Sequence, residues 1–289
     1  MKKDKIESEG ARRAGDSAAL AGNILCERDG GALRAGDSPS GAGIATVTLF
    51  NPDKLNALNA AMWRRLREVM GELAADDSLR CIILRGEGVV FAAGGDLEEF
   101  RSARANVDLA LAYHEAVGEA LAAIESCPQP TVAAILGPCV GGGLEIACAC
   151  DLRIAGAGAR FGAPIMKLGF SMYPGELAGL LRLAGPAVAK EILLEGRLLN
   201  AAEAYAKGLL TRVVADDAVE EEALATARRI AAGAPLVARW HKQWIARLLE
   251  DRPLSLEEKR ASFAFLDTQD YAEGLAAFLE KRPARFRGR

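Results

Sequence analysis

The chain is poor in the residues that many site chemistries require. It has only two histidines, His114 and His241, and neither has cysteines or acids at ligand spacing, which excludes zinc as the organising chemistry. No G-x-S-x-G turn occurs, and two histidines give little support to a Ser-His triad. Aromatic residues make up 6% of the chain and do not interleave with a basic stripe, so no nucleic-acid partner is expected. The formal charge of −3 offers no general attraction for polyanions or anionic membranes. No apolar run reaches the roughly 18 residues of a membrane span, so no membrane partner is expected either. The first 22 residues hold no apolar core of signal-peptide length and carry four acids, against both export and organelle import. Six cysteines (Cys26, Cys81, Cys127, Cys139, Cys148 and Cys150) are scattered, mostly in apolar stretches. Without a sign of export they read as reduced, buried thiols, and the cytoplasm is the expected compartment. The C-x-C at Cys148 and Cys150 ends an apolar helix and reads as packing.

What is present is an ordinary soluble composition, 51% apolar and 26% charged, on a chain of 289 residues. That length can bury one large core, alone or with an appendage. Residues 1–22 lack periodicity and read as a flexible tail. The string RAGDS occurs at Arg13–Ser17 and again at Arg34–Ser38, in loop-like surroundings, and carries no evident function. Ile24–Arg28 and Ile44–Leu49 read as strands joined by a long Gly/Ser/Pro loop over 30–43. Asn59 then caps a helix whose Met62, Leu66, Val69, Met70 and Leu73 form one apolar stripe. Cys81–Leu84, Thr131–Leu136 and Leu152–Ala155 read as buried strands, with a long helix over Asp108–Ser126. After residue 215 the pattern becomes helical: Ala218–Ala232, Pro235–Leu249, Leu256–Asp267 and Tyr271–Lys281. An α/β core over 23–215 followed by a helical region over 216–289 is the expected organisation.

Two segments share one logic, in which a buried strand runs into a glycine-rich turn that opens a helix. The first is CIILRGEGVVFAAGGDLEEF, with Ala92, Ala93, Gly94, Gly95, Asp96 and Leu97 at the turn. The second is TVAAILGPCVGGGLEIACACDL, with Gly141, Gly142, Gly143 and Glu145. Small residues let a ligand approach the backbone, and helix N-termini offer unpaired N–H groups. Two such groups converging on one carbonyl oxygen make an oxyanion hole. Taken singly, each turn also fits a mere tight bend. Neither is a Walker A loop or a dinucleotide fingerprint in its proper setting.

Taken together, these blocks resemble the crotonase superfamily, the enoyl-CoA hydratase/isomerase family. The resemblance starts at ATVTLFNPDKLNALN and continues through VVFAAGGDLEEF and PQPTVAAILGPCVGGGLEIACACDLRIA. It closes with GRLLNAAEAYAKGLLTRVV and DYAEGLAAFLEKRPARFRGR, so that it covers about residues 23–289 in order. It implies an α/β spiral of ββα units, a C-terminal helical region that builds homotrimers or dimers of trimers, and an acyl-CoA thioester as substrate. No separate cofactor is implied, since coenzyme A arrives as part of the substrate. The resemblance places the oxyanion-hole N–H groups at Ala93 and Gly142. It places Lys54, Leu55, Ala57, Ala92, Asp96, Leu97 and Gly141 in the substrate site, with Phe278 and Lys281 near a neighbouring subunit's nucleotide pocket. Lys54 either meets a phosphate or is a solvated turn lysine. The basic C-terminus, from Lys281 to Arg289, is either a solvated end or a helper for the same phosphates.

The acids decide the reaction. Glu145 lies one helical turn past Gly142 and matches a catalytic glutamate of the hydratases. Their second catalytic glutamate directly follows a proline, where this chain reads Phe161–Gly162–Ala163–Pro164–Ile165. The neighbouring segment, Leu168–Gly179, is about two residues longer than the family pattern and contains Glu176. That glutamate either replaces the missing acid or is a solvated loop residue; Glu115 and Glu119 are weaker candidates. Three readings therefore stand: an enoyl-CoA hydratase, a double-bond isomerase with Glu145 as sole base, and an acyl-CoA-binding or interaction protein without turnover.

Overall fold

A computed structural model describes residues 22–29 and 43–289. The expected tail over 1–22, Gly22 excepted, both RAGDS strings and nearly all of the 30–43 loop lie outside the described residues. Strand β1 (Asn23–Asp29) pairs antiparallel with β2 (Ile44–Phe50), setting Cys26 opposite Val47. The Asn59 side chain then accepts the Met62 N–H at 2.9 Å and starts helix α1 (Ala60–Ala74). Its predicted apolar stripe is buried, with Trp63 added to it. Strand β3 (Cys81–Gly86) follows, then a short α2 (Phe100–Ala103) and the long α3 (Val107–Glu125), which Asn106 caps.

From here the chain repeats a unit. Strand β4 (Thr131–Ile135) joins β3, β5 (Pro138–Val140) turns into a second sheet, and α4 (Gly142–Ala149) returns. Strands β6 (Leu152–Gly156) and β7 (Arg160–Gly162) repeat the step and lead to α5 (Pro174–Glu195). The short β8 (Leu199–Asn200), α6 (Ala201–Ala206) and β9 (Arg212–Val214) complete the sheets. The main sheet runs β1-β2-β3-β4-β6-β9 and is parallel from β2 onward; the smaller one runs β5-β7-β8. This is the expected mixed α/β spiral of ββα units.

One boundary differs from expectation. Helix α7 (Val219–Ala231) does not leave the core at residue 215. Its Val219, Ala223, Ala227 and Ala231 pack with Ile44, Cys81, Ile83, Val132 and Ile154 on the main sheet. The alternating residues of strands buried on both faces need a cover on each side, and α7 supplies the second. Helices α8 (Pro235–Leu248), α9 (Leu256–Ala261) and α10 (Gln269–Leu279) follow, and α8 is tied to the core by Arg239 to Asp77 at 2.6 Å and by Lys242 to Asp151 at 2.7 Å. The expected helix over Leu256–Asp267 is two pieces, because the Ser262 hydroxyl bonds back to the Lys259 carbonyl at 2.8 Å and a 3₁₀ turn follows at Ala264–Asp267.

The first turn of the site is held by two asparagines. Asn56, at φ +55°, accepts the Asn51 N–H at 3.0 Å and donates to the Glu87 and Val90 carbonyls at 2.9 and 2.7 Å. Asn51 in turn donates to the Ala57 carbonyl at 2.7 Å. Asn56→Ala leaves two inward-facing carbonyls unpaired and puts a Cβ-bearing residue without a compensating amide at positive φ. It is expected to lower unfolding free energy by about 2–4 kcal/mol. The check is a fall in the urea midpoint at constant slope; a wild-type midpoint means other contacts hold the turn.

Candidate active site

The two glycine turns meet edge to edge. Ala92 donates its N–H to the Pro138 carbonyl and accepts the Val140 N–H, both at 3.0 Å, which zips the first turn to β5. Beyond this ladder the backbones come so close that a Cβ on Gly141 would sit 3.5 Å from the Gly94 Cα. Gly94 has φ +114° and Gly141 φ +51° with ψ −118°, conformations that favour glycine strongly. Both turns therefore open onto one pocket, together with Trp63, Phe100, Glu145, Ile165 and Glu176.

A count of backbone donors corrects the expected hole. The Ala93 N–H is already given to the Leu55 carbonyl at 3.0 Å, so Ala93, although in the pocket wall, is not the free donor. Two residues on, the chain bridges to Leu58: Leu58 donates to the Gly94 carbonyl and Asp96 to the Leu58 carbonyl, both at 2.8 Å. That alternation leaves the Gly95 N–H without a backbone acceptor among the described residues. Gly142 begins α4, where N–H groups have no intrahelical partner. The two donors that face the pocket without a backbone acceptor among the described residues are therefore those of Gly95 and Gly142. Ala92 is also corrected: fully buried, with both backbone groups used in the ladder, it does not reach the pocket.

Both candidate glutamates reach the same pocket. Glu145 is only 9% exposed in the first turn of α4. Burial pushes its carboxyl well above the ordinary carboxylate range, the negative field of Glu176 pushes it further, and the Arg104 charge opposes both. Glu176 is no solvated loop residue. It is 7% exposed in the first turn of α5, and the His114 ring nitrogen Nδ1 is hydrogen-bonded to its Oε1. His114, on α3, stacks on Tyr173, the residue that caps α5, with ring centres 5.0 Å apart. A second carboxyl group thus reaches the pocket from the first turn of α5, while Pro164 and Ile165 form apolar wall. Phe170, Ser171 and Met172 of that segment line the pocket as well. Glu119 is instead paired with Arg67 on the surface, and Glu115 is not in the pocket wall.

Among the described residues, the two buried side-chain donors without an acceptor, Trp63 Nε1 and Arg104 Nε, both belong to this pocket. Leaving such donors unmet costs about 1–3 kcal/mol each, the signature of a site rather than of plain core.

A sequence profile of the enoyl-CoA hydratase/isomerase family matches residues 40–289. The chain belongs to this family. A probable enoyl-CoA hydratase from Rhizobium meliloti is 36% identical over 251 residues, 85% of this chain and 95% of that protein. A crystal structure described as an enoyl-CoA hydratase/carnithine racemase from Magnetospirillum magneticum is 54% identical. It superposes with a TM-score of 0.84, covering 86% of this chain and 93% of the other. An enoyl-CoA hydratase from Bacillus anthracis, 30% identical, superposes with a TM-score of 0.80 over 92% of this chain and all of its own.

The remaining candidates of this family member are spread out. Leu97 and Gly141 line the pocket. Lys54 is held by Asp96 at 2.7 Å and Glu98 at 2.8 Å, and those hydrogen bonds raise its proton affinity. Leu55, at φ +52°, is exposed beside it, whereas Ala57 is nearly buried. Phe278, 81% exposed, and Lys281 lie on and just after α10, away from the pocket wall. Gly95, Arg104, Tyr113 and His114 were not foreseen as site residues. Only Gly95 had a local signal, its place in the Ala-Ala-Gly-Gly turn.

The raised proton affinity of Glu145 has a thermodynamic consequence. A carboxyl whose folded pKa lies above its unfolded value stabilises the fold fully below the ordinary pKa of 4.5 and loses that contribution as pH rises through the folded value. Glu145→Gln cannot ionise, so its stability relative to wild type should climb from about pH 4.5 upward. Urea unfolding from pH 4.5 to 8 checks this; a pH-independent difference means Glu145 titrates normally.

Proposed function

We propose that this protein hydrates 2-enoyl-CoA thioesters, using Glu145 and Glu176 as a carboxyl pair and the N–H groups of Gly95 and Gly142 as the oxyanion hole. The observation that carries this reading is the position of Glu176. A single acid beside the hole would favour moving a double bond; two acids in one pocket support adding water across it. The thioester oxygen sits between the two N–H groups, and each such donor supplies on the order of 3 kcal/mol as negative charge develops there. Glu176, oriented by His114, takes a proton from a water whose oxygen bonds to C3. The electron pair of the double bond moves to the thioester oxygen as enolate. Glu145, whose burial keeps it protonated, then delivers a proton to C2 as the carbonyl re-forms. The proton gained by Glu176 returns to Glu145 through the pocket, and the enzyme is restored. The reaction needs only protein groups, water and the coenzyme A thioester.

Lys54, Leu55, Ala57, Asp96 and Leu97 lie at or near the first turn, where the nucleotide end of the substrate would leave the pocket. Lys54 would trade its acidic partners for a phosphate. Copies of the chain would assemble as trimers or paired trimers through this C-terminal helical region, whose Leu248, Leu249, Phe263, Leu266, Phe278 and Leu279 are exposed. This assembly would bring Phe278 and Lys281 to a neighbour's nucleotide. The cytoplasm is the compartment that fits its free thiols.

Purified protein with crotonyl-CoA in heavy water should form the 3-hydroxy product with deuterium at C2. Glu145→Gln and Glu176→Gln should each lose about 10²–10⁴ of kcat. Wild-type protein that shifts a 3-enoyl double bond but never hydrates crotonyl-CoA, with Glu176→Gln shifting it equally fast, would reassign the enzyme as a one-base isomerase. Because Glu145 must be protonated to act, wild-type rates should fall as pH rises through its raised pKa. Sedimentation equilibrium should give three or six times the chain mass; a monomer over the micromolar range removes the assembly.

A further inference from the structure

The lining of the pocket holds a cation that the hydration mechanism does not use. Arg104 closes α2, and its guanidinium carbon lies 3.5 Å from the ring centre of Phe100, 4.7 Å from that of Phe170 and 5.4 Å from that of Tyr113. Nε is enclosed and has no acceptor among the described residues. Glu145 and Glu176 act on it only through their fields, without a hydrogen bond, and burial works against its charge. The three rings surround the guanidinium, Tyr113 and Phe170 standing edge-on to Phe100, and no ring can satisfy its N–H donors as an oxygen would.

A planar fork of N–H donors fits a carboxylate, which it can bind in bidentate fashion. The thioester oxygen is not the partner, since Gly95 and Gly142 serve it. A saturated hydrocarbon end would leave a buried charge uncompensated. A cationic end is opposed, because the aromatic cage already holds this chain's own cation. The cavity, about 190 Å³, suits a short chain, given that an apolar cavity of about 150 Å³ accepts benzene. We infer that Arg104 is a specificity-determining residue that receives a carboxylate at the far end of the acyl group. The substrate class is then the coenzyme A monothioester of a short unsaturated dicarboxylic acid. This inference rests on the reading of the pocket as an acyl-CoA site.

The test is binding, which does not depend on turnover. Adipyl-CoA and hexanoyl-CoA are saturated, equal in length, and differ only in a terminal carboxylate against a methyl group. Calorimetric titration of the full chain should find adipyl-CoA at least about tenfold tighter. Arg104→Met should erase that preference, lowering adipyl-CoA affinity at least about tenfold more than hexanoyl-CoA affinity, and Arg104→Lys should keep part of it. Equal binding of the two by wild type overturns the inference, even in an enzyme that hydrates crotonyl-CoA well. Equal loss for both ligands in Arg104→Met also overturns it, and makes Arg104 a counter-ion for the two glutamates. If Arg104→Met does not fold, the wild-type ratio and Arg104→Lys decide. Preference for adipyl-CoA without hydration of 2-hexenedioyl-CoA would sink the proposed reaction while leaving the carboxylate site standing. No binding of either ligand removes the acyl-CoA reading and this inference with it.

Discussion

The site depends on a single backbone contact, the ladder between the turn at Ala92 and strand β5. The proposed reaction needs its backbone donors fixed before charge develops, because donors that must reorganise lose most of their advantage over water. Here the fixing is done by two hydrogen bonds at Ala92 and by the near-contact of Gly94 with Gly141. A Cβ on Gly143 would come within 2.7 Å of the Ala92 carbonyl oxygen, so α4 can dock on the ladder only through glycine. The helix that carries Glu145 is thereby set against the turn that carries Gly95, and acid and donor share one frame. The main sheet, covered on both faces, is the rigid body on which that frame rests.

Into this frame the fold places more charge than a small pocket comfortably holds. Glu145 has almost no contact with solvent and takes no hydrogen bond from a described residue; Glu176 is equally buried but is bonded to His114. Two neighbouring carboxyl groups cannot both be charged without mutual penalty, and the one lacking a partner is the better place for the proton. The division into an acid and a base in the proposed reaction would therefore rest on hydrogen bonding and not on residue type. Among the described residues of the pocket wall Arg104 is the one arginine or lysine, and it lies among the rings of Phe100, Phe170 and Tyr113 without a hydrogen bond to either acid.

Much of the architecture was legible in the sequence because its signals are local. The Asn59 cap, the apolar stripe of α1 and the buried strands all follow from neighbours within a few residues. The boundary at 215 was misjudged for the opposite reason. Helix α7 looks like the helices after it, and only the unsatisfied second face of a parallel sheet reveals where it must go. The site shows the same division. Gly142 and Glu145 sit one turn apart on one helix and could be read directly. Which N–H in the other turn is free depends on the bridge between Leu58 and Gly95, residues far apart in the chain, and the resemblance, which points to Ala93, carries no such information. Arg104 and His114 carried no signal, since the rings and the carboxylate that define them come from other segments.

The displaced acid shows how such nonlocal support works. A glutamate directly after Pro164 would have been positioned by the tight chain around β7, with little freedom to relax. Glu176 comes instead from the first turn of α5, after a segment whose Gly169 adopts φ +81° and whose Phe170, Ser171 and Met172 turn back along the pocket. A longer approach leaves more ways to misplace the carboxylate, and proximity is worth little unless geometry is held closely. The tolerance is restored by α3, which packs on α5 and presents His114 to the acid while stacking its ring on Tyr173. The same helix gives Tyr113 to the aromatic surround of Arg104. One helix, through the adjacent Tyr113 and His114, thus touches both the surround of Arg104 and the Glu176 carboxyl. A change in His114, Arg104 or the segment before α5 should be felt at the other two, so in the proposed reaction the acyl end and the water would be positioned by one coupled set of contacts.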